Sequence, residues 1–197
     1  MNADGILRVT KALGDRLTQA LSDAGMPGTV FVGPLDDPDA GGAALVLFLY
    51  RILPSASLRN REHRVPSGTP PPPVIVYRNA LPLDLYYLVT VGTTPGQSEE
   101  TPLHWLGVAI QALQAEPDVT GPAVNHEAVH VTIEPLTTEE AGRIWALFPN
   151  ANYRTSIAYL ATPVWIDPLQ PEPVAGAVVQ DSLLEGQKVE KIEEAVP

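Results

Sequence analysis

The side chains in this sequence that could do chemistry are four histidines, an aspartate set in an apolar run, and a cluster of arginines. The histidines are His63, His104, His126 and His130. His126 and His130 are four apart, a spacing that on a helix suits zinc. His130, however, belongs to "AVHVTIE" (residues 128–134), whose alternation predicts a strand. Four strand residues span about 13 Å, too far for one ion. Hydrogen-bonding or surface roles are therefore expected for these histidines, and no metal. Asp84 stands inside "LPLDLYYL". It reads as a strand residue that faces solvent or pairs with an arginine, rather than as a catalytic carboxylate. Glu139 and Glu140 are adjacent, so on a helix they diverge by about 100°. A helix cap with a solvated face explains them better than paired acid–base chemistry.

Other chemistries lack their residues. No glycine-rich phosphate loop and no G-x-S-x-G elbow occurs. The absence of cysteine excludes disulfides, thiolate catalysis and cysteine–zinc sites. The expectation is of no enzyme, no catalytic residue and no cofactor. What remains is Arg51, Arg59, Arg61, Arg64 and Arg78, with Glu62 the only acid between residues 51 and 78, a net of +4. Two readings stay open from the residues alone. The arginines can be a solvated loop that balances an acidic remainder. They can also be a docking surface, since guanidinium groups make planar bidentate contacts with carboxylates and are favoured at interfaces.

The elements that must position these residues are legible in outline. Ile6, Val9, Leu13, Leu17 and Leu21 lie at helical spacing, predicting a helix over 4–24 with Asp4 as N-cap and Gly25 as stop. "TVFVG" (29–33) reads as a short strand and "LDDPDAGG" as an acidic turn. "AALVLFLYRI" (43–52) is continuously apolar, as in a strand covered on both faces. Residues 53–80 read as one long loop, with Pro70–Pro73 extended. "LPLDLYYLVTVG" reads as a strand whose Leu83, Leu85 and Tyr87 side is the drier.

Thr101 and Pro102 are expected to open a helix that buries Leu103, Leu106, Ile110 and Leu113 and ends before Pro117. Val129, Val131 and Ile133 should point inward. Thr137 and Glu140 have capping-box spacing for a third helix, with Ile144, Leu147 and Phe148 toward the core and Trp145 at the edge. "RTSIAYLATPVWID" gives a last strand, bent near Pro163.

Length and charge bound the class. The chain has 197 residues, 45% of them hydrophobic, enough for one cored domain. Its 21 prolines are about twice the ordinary share, which favours rigid loops. A net charge of −11 disfavours nucleic acid as a partner. The longest apolar run is too short to cross a bilayer, so no membrane partner is expected. No basic segment followed by an apolar run opens the chain, so a cytoplasmic protein without signal peptide is expected. From residue 168 the pattern fades. Residues 167–197 carry seven acids and two lysines, a net of −5. The division expected is a domain over 1–167 and an acidic, flexible C-terminal arm over 168–197.

Four blocks in order, "LFLYRILPSASLRN", "LPLDLYYLVT", "HWLGVAIQALQAEP" and "VHVTIEPLTTEEAGRIWALFPNANYRTSIAYLATPVWID", resemble the tail-terminator (cap) proteins of phage-tail-like contractile injection systems. The likeness spans about residues 5–167. It implies an α/β fold, a mixed sheet flanked by helices, with the proline-rich loop and the C-terminal arm appended. It implies a structural cap: a homohexameric ring on the end distal to the baseplate, terminating the inner tube and sheath and anchoring the last sheath layer. The partners implied are other copies of the chain, the sheath protein and the inner tube protein, assembled in the cytoplasm into a particle that is retained or released.

On this reading Arg59, Arg61 and Arg64 reach a neighbouring subunit or the tube or sheath below, and Arg51, Arg78, Asp84 and Arg154 complete the interface. The acidic arm is the second contact, with "AVVQ" able to add as a strand to an open sheet edge. The alternatives are a baseplate or collar adaptor of the same machinery and, further off, a small-molecule-binding α/β domain built around Asp84 and a histidine.

Overall fold

A computed structural model of the chain describes residues 3–66, 74–92 and 100–170. Helix α1 (Gly5–Asp23) forms where the apolar stripe predicts it, and Val9, Leu13, Leu17 and Leu21 are buried along it. Asp4 occupies the N-cap position, but its side chain makes no capping hydrogen bond. The stop is as expected. Gly25 takes φ +66°, its N–H bonds to Ser22 O, and the Met26 N–H bonds to Leu21 O, each at 2.9 Å. That pair of bonds closes the helix in a Schellman motif, and the left-handed residue it requires is cheap only for glycine.

The remaining elements are β1 (Val30–Val32), β2 (Leu45–Pro54), β3 (His63–Pro66), β4 (Val74–Tyr77), β5 (Leu81–Val91), α2 (Glu100–Ala115), β6 (Asp118–Val119), β7 (Val129–Glu134), α3 (Thr138–Trp145) and β8 (Ser156–Ile166). Six strands form one sheet in the order β1-β2-β5-β8-β7-β6. The β1–β2 pair is parallel and the other pairs are antiparallel, so the sheet is mixed. This is the α/β architecture expected from the sequence.

Continuous apolar runs arise because both faces of the central strands are covered. Leu45 and Leu47 of β2 join Leu85, Tyr87 and Val89 of β5, Val131 of β7 and Tyr159 and Ala161 of β8 in the core under α1 and α2. Val46, Leu88 and Ala158 point the other way and meet Leu35, Ala40 and Trp145 in a smaller cluster under α3. Each such aliphatic side chain removed from water contributes about 1.5–3 kcal/mol. Tyr87 is buried, yet its hydroxyl lies 2.7 Å from Thr10 Oγ1. Thr10 donates its own proton to Ile6 O, so Tyr87 is the donor to Thr10. Burial pushes the Tyr87 hydroxyl pKa well up, and that of Tyr159 up to about 12. Gly92 ends β5 where no side chain fits, since a Cβ there would collide with Ala43 O.

Several expectations need correction. β2 is covered on both faces only over Leu45–Leu47, and Arg51–Pro54 are exposed. Residues 53–80 are not one loop: His63–Pro66 and Val74–Tyr77 pair antiparallel as a separate two-stranded sheet. The β-branched Val65, Val74, Ile75 and Val76 supply its strand preference. Pro70–Pro73 lie outside the described residues. Helix α2 already begins at Glu100, and it buries Trp105, Leu106, Ala109 and Leu113, whereas Leu103 is 52% exposed. Apolar residues surround this helix, so periodicity alone could not choose its inner face.

Ile133 is exposed because it lies beyond β6, which pairs only with Val129 and His130. The capping box on α3 is present, with Thr137 Oγ1 accepting from Glu140 N–H and Glu140 Oε2 accepting from Thr137 N–H. Because α3 stops at Trp145, Trp145 turns inward and Leu147 falls in the following turn, exposed. Phe148 still packs, edge-on to Phe48.

Two irregularities shape one end of the sheet. The β2–β5 register passes from Leu49–Tyr87 to Arg51–Tyr86, leaving Tyr50 as an extra residue. The β5–β8 register passes from Leu83–Val164 to Leu85–Ala161, an irregularity beside Pro163, where the bend is expected.

Candidate functional site: the hairpin and the sheet end beneath it

The bulge at Tyr50 decides where Arg51 points. Pairing with Tyr86 places Arg51 on the α3 side of the sheet, and its guanidinium carbon sits 3.9 Å above the Tyr86 ring. That is cation–π geometry. Asp84 shares this face. Among the described residues it is paired with no arginine: Thr162 Oγ1 donates to Asp84 Oδ1 at 2.5 Å.

Next to this end stands the β3–β4 hairpin with the short turn that precedes it. Arg59 and Arg61 are exposed on the turn. Arg64 Nη2 and Arg78 Nε approach Glu62 Oε2 and Oε1 at 3.1 and 3.3 Å. One carboxylate thus holds two arginines, whose side chains remain 69% and 64% exposed. Surface pairs of this kind contribute about 0–1 kcal/mol, so they orient guanidinium groups more than they stabilise the fold.

Arg154 is not part of this group. Its Nη1 donates to Val91 O at 2.9 Å and its Nη2 to Leu35 O at 3.1 Å, near the other end of β5. Val91 lies seven strand positions beyond Asp84, about 23 Å along the strand. Burial lowers the pKa of its guanidinium.

The residue that sequence reasoning missed is His63. It is buried, and its ring stacks on Trp165 with centroids 4.7 Å apart and planes 5° from parallel. Nδ1 donates to Asp167 Oδ1 at 2.6 Å, and Nε2 lies 3.6 Å from Glu127 Oε2. Three distant segments deliver these groups: the start of β3, the turn before β7 and the residue after β8. Glu127 follows Asn125 and His126, both at positive φ (57° and 60°), an uncommon run for residues with side chains. His63 therefore fastens the hairpin to the body. Nothing in the sequence near His63 signals this, because both carboxylates are remote. His126 and His130 do not share a site: His130 Nδ1 pairs with Asp118 Oδ1 at 2.6 Å on the surface.

Concavities of about 250 and 330 Å³ lie beside α3 and beside the turn at 35–41. Neither is lined by Asp84 or by a histidine. The sheet end and the hairpin beside it present exposed guanidinium groups, those of Arg59, Arg61, Arg64 and Arg78.

The fold is that of tail-terminator chains. It is similar to the cryo-EM structure of the sheath/tube terminator of the extracellular contractile injection system PVC in its extended state, with TM-score 0.60 and 18% identity over 96% of this chain. It is also similar to the cryo-EM structure of the tube-terminating cap of the anti-feeding prophage AFP, with TM-score 0.57 and 18% identity over 95% of this chain. The chain spans 66% and 60% of the lengths of those two proteins. By sequence it belongs to the family of the Pvc16 N-terminal domain, whose model matches residues 8–180. The resemblance seen in the four sequence blocks holds for family and fold. No curated protein sequence matches the chain significantly.

Proposed function

We propose that this chain is a structural cap of a contractile injection system. Copies close into a ring, a homohexamer on this reading, that sits on the end of the tube and sheath distal to the baseplate. The ring stops further addition and anchors the last sheath layer. The observation that carries the reading is the alignment of nearly the whole chain on the PVC sheath/tube terminator, within a family matched over residues 8–180.

The surface chemistry supports it. A closed ring built head to tail needs two different complementary patches on each copy. The cationic hairpin with Arg59, Arg61, Arg64 and Arg78 is one. Acidic residues 168–197 are the other, reaching a neighbouring copy or the sheath. Arg51 and Asp84 lie on the sheet end beneath the hairpin, within the same docking face. No catalytic group is required, and the particle assembles without a membrane.

The test is deletion of the gene in a strain that makes such particles, with complementation by the full chain. Over-long tubes, sheathless tails or both are expected by electron microscopy, restored on complementation. Particles of normal length and normal sheath in the deletion strain would sink the reading. Native mass spectrometry of the purified chain tests the ring, and an assembly other than six copies would refute the stoichiometry.

A further inference from the structure

We infer that His63, Glu127 and Asp167 form a binding site for one divalent first-row transition ion, with zinc as the probe. Each residue offers one ligand atom, and these atoms all lie within 4.8 Å of one another. The side chains are 8%, 11% and 9% exposed, so the site is interior rather than a chance meeting of surface charges. An imidazole and a carboxylate, with a second carboxylate behind the imidazole and no thiolate, suit zinc, manganese or iron(II). With the ring neutral, the three groups carry a formal charge of −2, a field that favours a cation.

The two contacts of the ring are unequal, and the inequality carries the inference. The 2.6 Å separation at Nδ1 is a hydrogen bond. The 3.6 Å separation at Nε2 is too long for one. It does suit two ligands sharing an ion: bonds of about 2.0–2.1 Å at tetrahedral angles hold ligand atoms roughly 3.3 Å apart. Asp167 then fixes the Nδ1–H tautomer and directs the Nε2 lone pair at the ion, while Glu127 supplies the second ligand. Trp165 holds the plane of the ring. Glu127 can add its second oxygen, and water completes the shell. Such an ion ties the hairpin, the turn before β7 and the end of β8 together at one point. The inference does not depend on the chain being a cap.

The experiment uses the untagged full chain, stripped with EDTA and dialysed, then titrated with zinc and with cobalt(II) as a spectroscopic substitute. About one ion per chain is expected at micromolar zinc, with a rise in melting temperature that magnesium does not reproduce. Glu127→Gln, which removes a charged ligand, should weaken binding by about 100-fold or more, and Asp167→Asn by about tenfold, the scale of losses at orienting contacts. His130→Ala removes the exposed His130–Asp118 pair and should leave binding unchanged. Far-UV circular dichroism checks each variant for folding.

The inference is overturned if no ion is retained. It is equally overturned if Glu127→Gln binds as well as wild type, or if His130→Ala abolishes binding. Should Glu127→Gln fail to fold, the cobalt spectrum of the wild-type chain decides. Absorption shifted and intensified from that of the hexaaqua ion supports the site, and an unshifted spectrum overturns it.

Discussion

Under α1, Val9, Leu13, Leu17, Leu85 and Tyr87 meet with almost no exposed surface. At the hairpin end, β3 meets the body through one imidazole and the partners around it. The first region is held by non-directional burial that many aliphatic sequences could supply. The second is held by direction: a hydrogen bond, a ring stack and the approach of a carboxylate. One is built to keep the fold. The other fixes the attitude of an arginine-bearing arm, which apolar packing alone would not do. Losses should accordingly be global in the first region and local in the second.

The largest effect is expected from Leu17→Ala, which empties a fully buried site under α1 and should cost about 3 kcal/mol. Urea unfolding with an unchanged m-value measures it, and a loss under 1 kcal/mol would mean that this core is loosely packed. Arg154→Met comes next. It strips donors from Val91 O and Leu35 O, at about 2 kcal/mol. A near-neutral result would show those carbonyls satisfied by water.

His63→Ala should cost less globally, about 1–2 kcal/mol for the lost hydrogen bond and stack. Its signature is local: amide exchange should quicken in β3 and β4 and stay unchanged in β5 and β8. Equal acceleration everywhere would erase the distinction between the two regions.

Thr137→Ala should cost about 1 kcal/mol through the cap on α3. The backbone N–H and hydroxyl of Thr137 hold the Glu140 carboxyl below its usual pKa. A carboxyl lowered in the folded state stabilises above its unfolded pKa, and that contribution is lost as pH falls through the folded value. The part of the wild-type advantage over Thr137→Ala that comes from the hydroxyl should therefore shrink in acid, and a constant difference across pH would contradict the hydroxyl–carboxylate contact.

The smallest effect on stability belongs to Arg59→Ala, Arg61→Ala and Arg64→Ala combined, within about 0.5 kcal/mol. Their effect should appear in assembly, as a weakened ring in native mass spectrometry and altered tail length. A folded triple variant with unchanged ring mass and tail length would remove the hairpin from the interface.

Much of the first region was legible before any coordinates. The α1 stripe, the Gly25 stop, the two central strands and the α3 capping box all depend on residues close in sequence. The second region was legible only in its charges. β3 and β4 are four residues each and lie in a proline-rich stretch, so their β-branched residues read as part of a loop. His63 gave no signal, because its meaning comes from Glu127 and Asp167, dozens of residues away. The carbonyl partners of Arg154 were hidden for the same reason, since Val91 and Leu35 are remote from it in sequence. The inward faces of α2 and the turn after α3 were misread where the apolar pattern fits more than one rotation.

The extra residue at Tyr50 has an unusual corollary for mutational tolerance. In an ordinary strand, losing one amino acid throws every later side chain to the wrong surface. Here Leu49 and Arg51 already face consecutive partners, Tyr87 and Tyr86. Excising Tyr50 would splice them into an uninterrupted ladder and leave Ile52, Leu53 and Pro54 opposite the same neighbours as before. β2 thus contains a position where a deletion is register-neutral, and a shortened chain lacking Tyr50 should keep Arg51 stacked on Tyr86.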